Sequence, residues 1–146
     1  MAKNSSSGAR TRARELLLQA LYQKQIAGHD HRELKSQFHD QVAYDRVDQE
    51  FFDEALPDIC KNEDELREVI EEVIDRPIDQ LDPVEYGVLL VSIYELKNRI
   101  DVPYRVVINE GVNLAKRFGA LDGHKYINAC LDRAAQSLRQ IEIKAG

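Results

Sequence analysis

Helix-start and helix-stop signals punctuate this chain from end to end, and between them the apolar residues fall at helical spacing. Over residues 9–27, Ala13, Leu17, Ala20 and Leu21 form one stripe, widened by Leu16 and Leu18 and stopped by Gly28. A weaker pattern runs through Leu34, Phe38 and Val42 over 31–44. Phe51, Phe52, Ala55 and Leu56 mark a helix over 47–60, which Pro57 should kink or bound because its ring removes an amide donor. Asn62, followed by Glu63, Asp64 and Glu65, reads as a capping box for a helix through Leu66, Val69, Ile70 and Val73. Asp75-Arg76-Pro77 is a breaker. Asp82-Pro83-Val84-Glu85 then supplies a cap, a proline at the first helical position and a capping-box glutamate. Val88, Leu89, Val91, Ile93 and Leu96 follow, so that helix is buried on much of its circumference. Pro103 opens the next, with Val106, Val107, Leu114, Ala115 and Phe118, stopped by Gly119. Asp122-Gly123 opens the last, with Tyr126, Ile127, Cys130, Leu131, Ala134 and Leu138. No segment reads as a strand, and no fixed-period repeat is present.

These signals predict an all-α chain of about seven helices, arranged as two small helical bundles packed together. Residues 1–8 read as a flexible basic lead-in. Residues 9–146 read as one domain, with sub-bundles over 9–74 and 83–141 and a hinge over 75–82. A chain of 146 residues buries roughly two thirds of its unfolded surface, so it needs neither disulfide nor metal to fold. Cys60 and Cys130 are 70 residues apart, which is no metal spacing, and two free thiols are expected. No apolar run approaches the roughly 20 residues of a membrane span. The polar, basic stretch from Met1 to Arg14 lacks the apolar core of a signal peptide. The expected location is therefore the cytoplasm, without a membrane partner.

Charge is unevenly spread. The net −6 divides into +4 over residues 1–36, −13 over 37–85 and +3 over 86–146. Phosphate is repelled by the average field of such a chain, but a locally basic face still binds if the acidic segment points elsewhere. The plain alternative for the acidic middle is a solvated helix face. Catalytic and metal signatures are lacking: there is no phosphate-binding glycine loop, no H-E-x-x-H and no G-x-S-x-G. His29 and His31 read as a polar loop after Gly28, and His124 as a capping or surface residue. No enzyme and no cofactor is expected.

Arg10, Arg12 and Arg14 precede the apolar stripe of the first helix. At helical spacing Arg10 and Arg14 lie within about 40° of each other, near the line of Leu17 and Leu21. That line is core further along, so the helix must project past the core if these guanidinium groups are to stay wet. Tyr22 falls at the edge of the buried stripe, where its ring is partly exposed. Arginines at a projecting helix end, with a tyrosine on the flank, suit single-stranded RNA. Guanidinium groups engage phosphates and an aromatic face stacks a splayed base. The plain reading of the same residues is a solubilising terminus beside an ordinary boundary tyrosine.

The run Val102-Pro103-Tyr104 to Val107-Ile108-Asn109-Glu110, then Leu114-Ala115-Lys116 and Phe118-Gly119, resembles the NusB family of transcription antitermination factors. So do Asp122-Gly123-His124-Lys125-Tyr126-Ile127-Asn128 and Leu131-Asp132. Upstream, Ala13-Arg14-Glu15, Gln19-Ala20-Leu21-Tyr22 and Tyr94-Glu95-Leu96 match the family's first and central helices. The similarity spans about residues 10–139 and is weakest over 29–74. It implies an all-helical protein that binds the boxA element of ribosomal RNA leaders as a heterodimer with NusE, a protein of the small ribosomal subunit. It also implies that the complex joins elongating RNA polymerase with other Nus factors and suppresses premature termination. By position, the family's RNA contacts fall on Arg10, Arg12, Arg14, Tyr22, Glu85, Asp122, Lys125 and Tyr126. On this view the two basic ends of the chain converge on one face. A carboxylate such as Glu85 suits it by accepting from base amino groups. Some members form homodimers that cover the RNA face.

The chain departs from the family pattern at a few places. Thr11 interrupts the basic run, Tyr126 stands where phenylalanine is usual, and Ala129 replaces a glycine. Gly111 replaces an alanine in mid-helix, at a cost of about 1 kcal/mol in propensity unless close helix approach requires it. Two competing readings are an interaction module that docks a basic ribosomal protein without touching RNA, and a fragment of a ribosomal RNA cytosine methyltransferase. The second needs a cofactor-binding α/β domain, which residues 1–146 do not encode.

Overall fold

The computed structural model describes residues 6–146. Among them are eight α-helices, two short 3-10 segments and no strand. Residues 1–5, most of the expected lead-in, lie outside the described residues. Helix α1 (Ser6–Ala27) starts three residues ahead of its expected position, so Ser7 and Gly8 are helical. The other helices are α2 (His31–His39), α3 (Gln49–Lys61), α4 (Glu63–Val73), α5 (Pro83–Asn98), α6 (Tyr104–Phe118), α7 (Gly123–Leu138) and α8 (Gln140–Ala145). The chain divides into two compact units, residues 1–62 and 63–146. The division falls ahead of α4 rather than over the hinge expected at 75–82. The cause is the face of α4 carrying Leu66, Ile70 and Val73, which packs on α5 and α7 and so places α4 in the second unit.

In the first unit, α3 packs on α1 and α2. Leu34, Phe38, Phe51, Phe52, Ala55, Leu56 and Ile59 meet the α1 stripe of Ala13, Leu16, Leu17, Ala20 and Leu21, and all are buried. Asp30 caps α2 in a full capping box with Glu33. The pattern expected to run through Val42 instead breaks after His39 into a 3-10 segment, Val42–Arg46, and Val42 is exposed. Pro57 does not bound α3, which continues to Lys61. Asn62 does not open α4 as a capping box. Its side-chain amide turns back and donates to the Asp58 carbonyl at 2.9 Å, serving the end of α3.

In the second unit α5 is the central helix, buried continuously from Tyr86 to Leu96 and packed by α4, α6 and α7. Asp82 caps it through Oδ1, which accepts from the Glu85 amide at 2.8 Å, with Pro83 in the first turn. Gly111 marks a close approach: a β-carbon there would fall 2.5 Å from Ser92 Oγ and 2.8 Å from Leu131 Cδ1. Glycine at this position therefore serves packing. Buried Arg139, between α7 and the short α8, closes the far end of α5. It donates from Nε to the Leu96 carbonyl at 2.7 Å and from Nη2 to the Glu95 and Arg99 carbonyls, and it pairs with Glu142. A cation there complements the carbonyls at the helix end and the helix dipole.

Candidate nucleic-acid interface

In the first unit the expected RNA residues share α1 but not one environment. Arg12 is exposed and donates from Nε to the Arg46 carbonyl at 2.8 Å. Arg10 is half-buried, with its guanidinium 4.6 Å above the Phe51 ring and Nε 2.9 Å from Asp48 Oδ2. Asp48 also caps α3 by accepting from the Phe51 amide at 3.1 Å, so the Arg10 pair holds α1 against the start of α3. Arg14 corrects an expectation. The helix does not project past the core here: α3 covers this face, the Arg14 guanidinium lies 5.7 Å from the Phe51 ring, and only 3% of the residue is exposed. Burial follows from the nearness to the Leu17 line that the sequence contained, and a side chain this enclosed offers a ligand no face. Tyr22, by contrast, is 44% exposed, its ring presented beside the stripe.

In the second unit, the first turns of α5 and α7 come together. A β-carbon on Gly123 would lie 3.4 Å from Glu85 Oε2, so the Glu85 carboxylate sits in contact range of the start of α7. Burial pushes the Glu85 carboxyl above its ordinary range, and the Asp82 charge adds to this; the Asp82 amide and Arg76 pull it back. Asp122 takes a left-handed conformation (φ +67°), which aspartate tolerates better than most residues. Its side chain makes no capping bond to α7 and instead lies 3.7 Å from Lys125 Nζ, both groups being largely exposed. The α7 N-cap role expected of it is therefore not filled by the carboxylate. Tyr126, one residue on, accepts at its hydroxyl from the Asp75 amide at 3.2 Å. Burial is the main cause that pushes its phenol up to about 12.

One side chain at this site escaped the sequence reading. Arg76 stacks on the Tyr126 ring at 4.1 Å, with Nε 2.8 Å from Asp75 Oδ1. Asp75-Arg76-Pro77 was legible only as a breaker, because nothing local reveals that Tyr126, far along the chain, is the surface on which the bend rests. Asp75's carboxyl is held below its usual range chiefly by Arg76 and then by Tyr126. Among the described residues no group of three or more His, Cys, Asp or Glu is arranged to hold a metal. His29 lies 3.9 Å from Glu33, and His31 4.0 Å from Asp30. No disulfide joins Cys60 or Cys130. No helix among the described residues is long and apolar enough to cross a membrane.

An all-α protein with polar contact surfaces at helix starts is the class these features define. Residues 11–136 match the NusB family. A protein of Pseudomonas savastanoi pv. phaseolicola named transcription antitermination protein NusB is 45% identical over 144 residues, covering 99% of this chain and 87% of that protein. One of the same name from Paraburkholderia phymatum is 48% identical over 137 residues, covering 94% of each. A solved structure of T. maritima NusB superposes with a TM-score of 0.74 at 26% identity, covering 88% of this chain and 91% of that one. The chain belongs to the NusB family.

Proposed function

We propose that this chain is a non-enzymatic RNA-binding transcription antitermination factor. It binds boxA RNA of ribosomal RNA leaders together with NusE and helps RNA polymerase pass sites of premature termination. The observation that carries this reading is the gathering of Glu85, Asp122, Lys125 and Tyr126 at the starts of α5 and α7, in a chain of this family. The three charged groups among them have a chemistry that single-stranded RNA uses. Lys125 offers an exposed ammonium for phosphate, and Glu85 and Asp122 offer acceptors for base amino groups. On α1, Arg12 offers a guanidinium and Tyr22 an accessible ring for a stacked base. Arg10 adds positive field while fastening α1 to α3, and Arg14 acts through the fold of α1.

Transcription in vitro from a template with a boxA leader ahead of a terminator, with NusE and the other Nus factors present, tests the role. Read-through should rise when the chain is added and fall again with a leader whose boxA is scrambled. Read-through that is the same with and without the chain contradicts the proposal. Capture of NusE without any effect of RNA favours the interaction-module reading instead.

A further inference from the structure

We infer that Arg76 is an RNA phosphate contact, pre-set by the Tyr126 ring beneath it and the Asp75 carboxylate behind it, so that Tyr126 acts on RNA through Arg76. This rests on the RNA-binding reading above and extends it to a residue and a role that reading does not contain.

The geometry is that of a prepared clamp. The guanidinium centre lies 4.1 Å from the Tyr126 ring centroid, a stacked contact that leaves no room for a base between them. Nε is committed to Asp75 Oδ1, while the two terminal nitrogens have no protein acceptor among the described residues. Arginine in this pose presents a planar pair of donors, the fork that matches phosphate oxygens. The bend that carries it is fastened at two points to α7. The Asp75 amide donates to Tyr126, and Arg133 Nε donates to the Val73 carbonyl at 2.9 Å. Pro77 further restricts the Arg76 backbone. Arg76 nonetheless keeps 39% of its side chain exposed, so it is accessible. A guanidinium held this way loses little rotamer freedom on binding, which favours affinity.

The experiment measures binding of labelled boxA RNA to the full chain, with NusE present, across a salt series, with thermal melts of every variant. Arg76→Ala should bind about ten-fold more weakly with an unchanged melting temperature. Its salt slope should be shallower by about 0.7, the loss of one phosphate contact on a single strand. Arg76→Lys keeps the charge but loses fork and stacking, so it should recover the slope and only part of the affinity. Tyr126→Phe keeps the ring but loses the bond from the Asp75 amide, so it should weaken binding less than Tyr126→Leu. Tyr126→Leu should weaken binding although no charge is removed, and should add nothing in the Arg76→Ala background. Wild-type affinity in Arg76→Ala, tighter binding by it, or a full Tyr126→Leu effect in the Arg76→Ala background overturns the inference and leaves the RNA-binding reading standing. Failure of the wild type itself to bind overturns both.

Discussion

Gly111 of α6 and Ser92 of α5 sit so close that a β-carbon on the glycine would come 2.5 Å from the serine hydroxyl oxygen. Helix propensity alone favours alanine at position 111 by about 1 kcal/mol. Packing opposes it, because Ser92 and Leu131 are both buried and must shift. Gly111→Ala is expected to destabilise the protein by about 1–2 kcal/mol net in denaturant unfolding. Combining it with Ser92→Ala removes the clashing oxygen and should restore part of the loss. Additive effects of the two substitutions would show that the contact does not set the cost.

Arg14 and Arg12 separate structural from accessible arginines on one helix. Arg14 is buried against Phe51, and Arg14→Ala leaves a cavity there and removes the cation over the ring. The expected cost is about 2 kcal/mol or more, a fall of roughly 6 °C in melting temperature for a chain of this size. Arg12→Ala should change stability by about 1 kcal/mol at most. Equal melting temperatures for the two variants would contradict the burial.

Arg139 closes the end of α5 by donating to the carbonyls of Glu95, Leu96 and Arg99 from a nearly inaccessible position. Arg139→Met fills similar volume but supplies no donor. A loss of about 3 kcal/mol is expected, with hydrogen exchange of the last turn of α5 accelerating more than elsewhere in the second unit. Full stability in Arg139→Met would contradict a role for these bonds in holding the end of α5.

Alkaline pH should probe the Tyr126 contact. Burial pushes the phenols of Tyr44 and Tyr126 from 10.0 up to about 12, and the Tyr44 hydroxyl also donates to Asp53. A folded pKa above the unfolded one gives stability that is fully present below pH 10 and is lost as pH rises through about 12. Tyrosinate absorbance should therefore show a late-titrating group that Tyr126→Phe removes, and that variant should lose less stability across this window. An unchanged titration curve in Tyr126→Phe would contradict the assignment.

The helices were legible because their caps and apolar spacing are local. Asp82, Pro83, Pro103 and Gly119 each stand where their backbone chemistry requires. The assignment of α4 to the second unit was not legible, since the Leu66, Ile70 and Val73 face specifies burial but not the partner. Arg14 shows the same boundary. Its angular position next to Leu17 was readable, yet whether α3 covers that face depends on tertiary packing. Asp82 and Asn62 both read as helix caps in sequence, and only the first caps the helix that follows it. The Arg76 platform was hidden because a bend and a distant tyrosine carry no shared local pattern. The resemblance named the family, while the environment of each candidate residue came from the packing around it.

Direct binding of boxA RNA tests the central claim most closely. The measurement is an electrophoretic shift on labelled boxA RNA, with and without NusE, over a salt series, for wild type, Arg12→Ala and Lys125→Ala. The account predicts wild-type binding that weakens steeply with salt, and a slope shallower by about 0.7 in each variant at unchanged melting temperature. Affinity independent of salt, or equal in all three proteins, would contradict it.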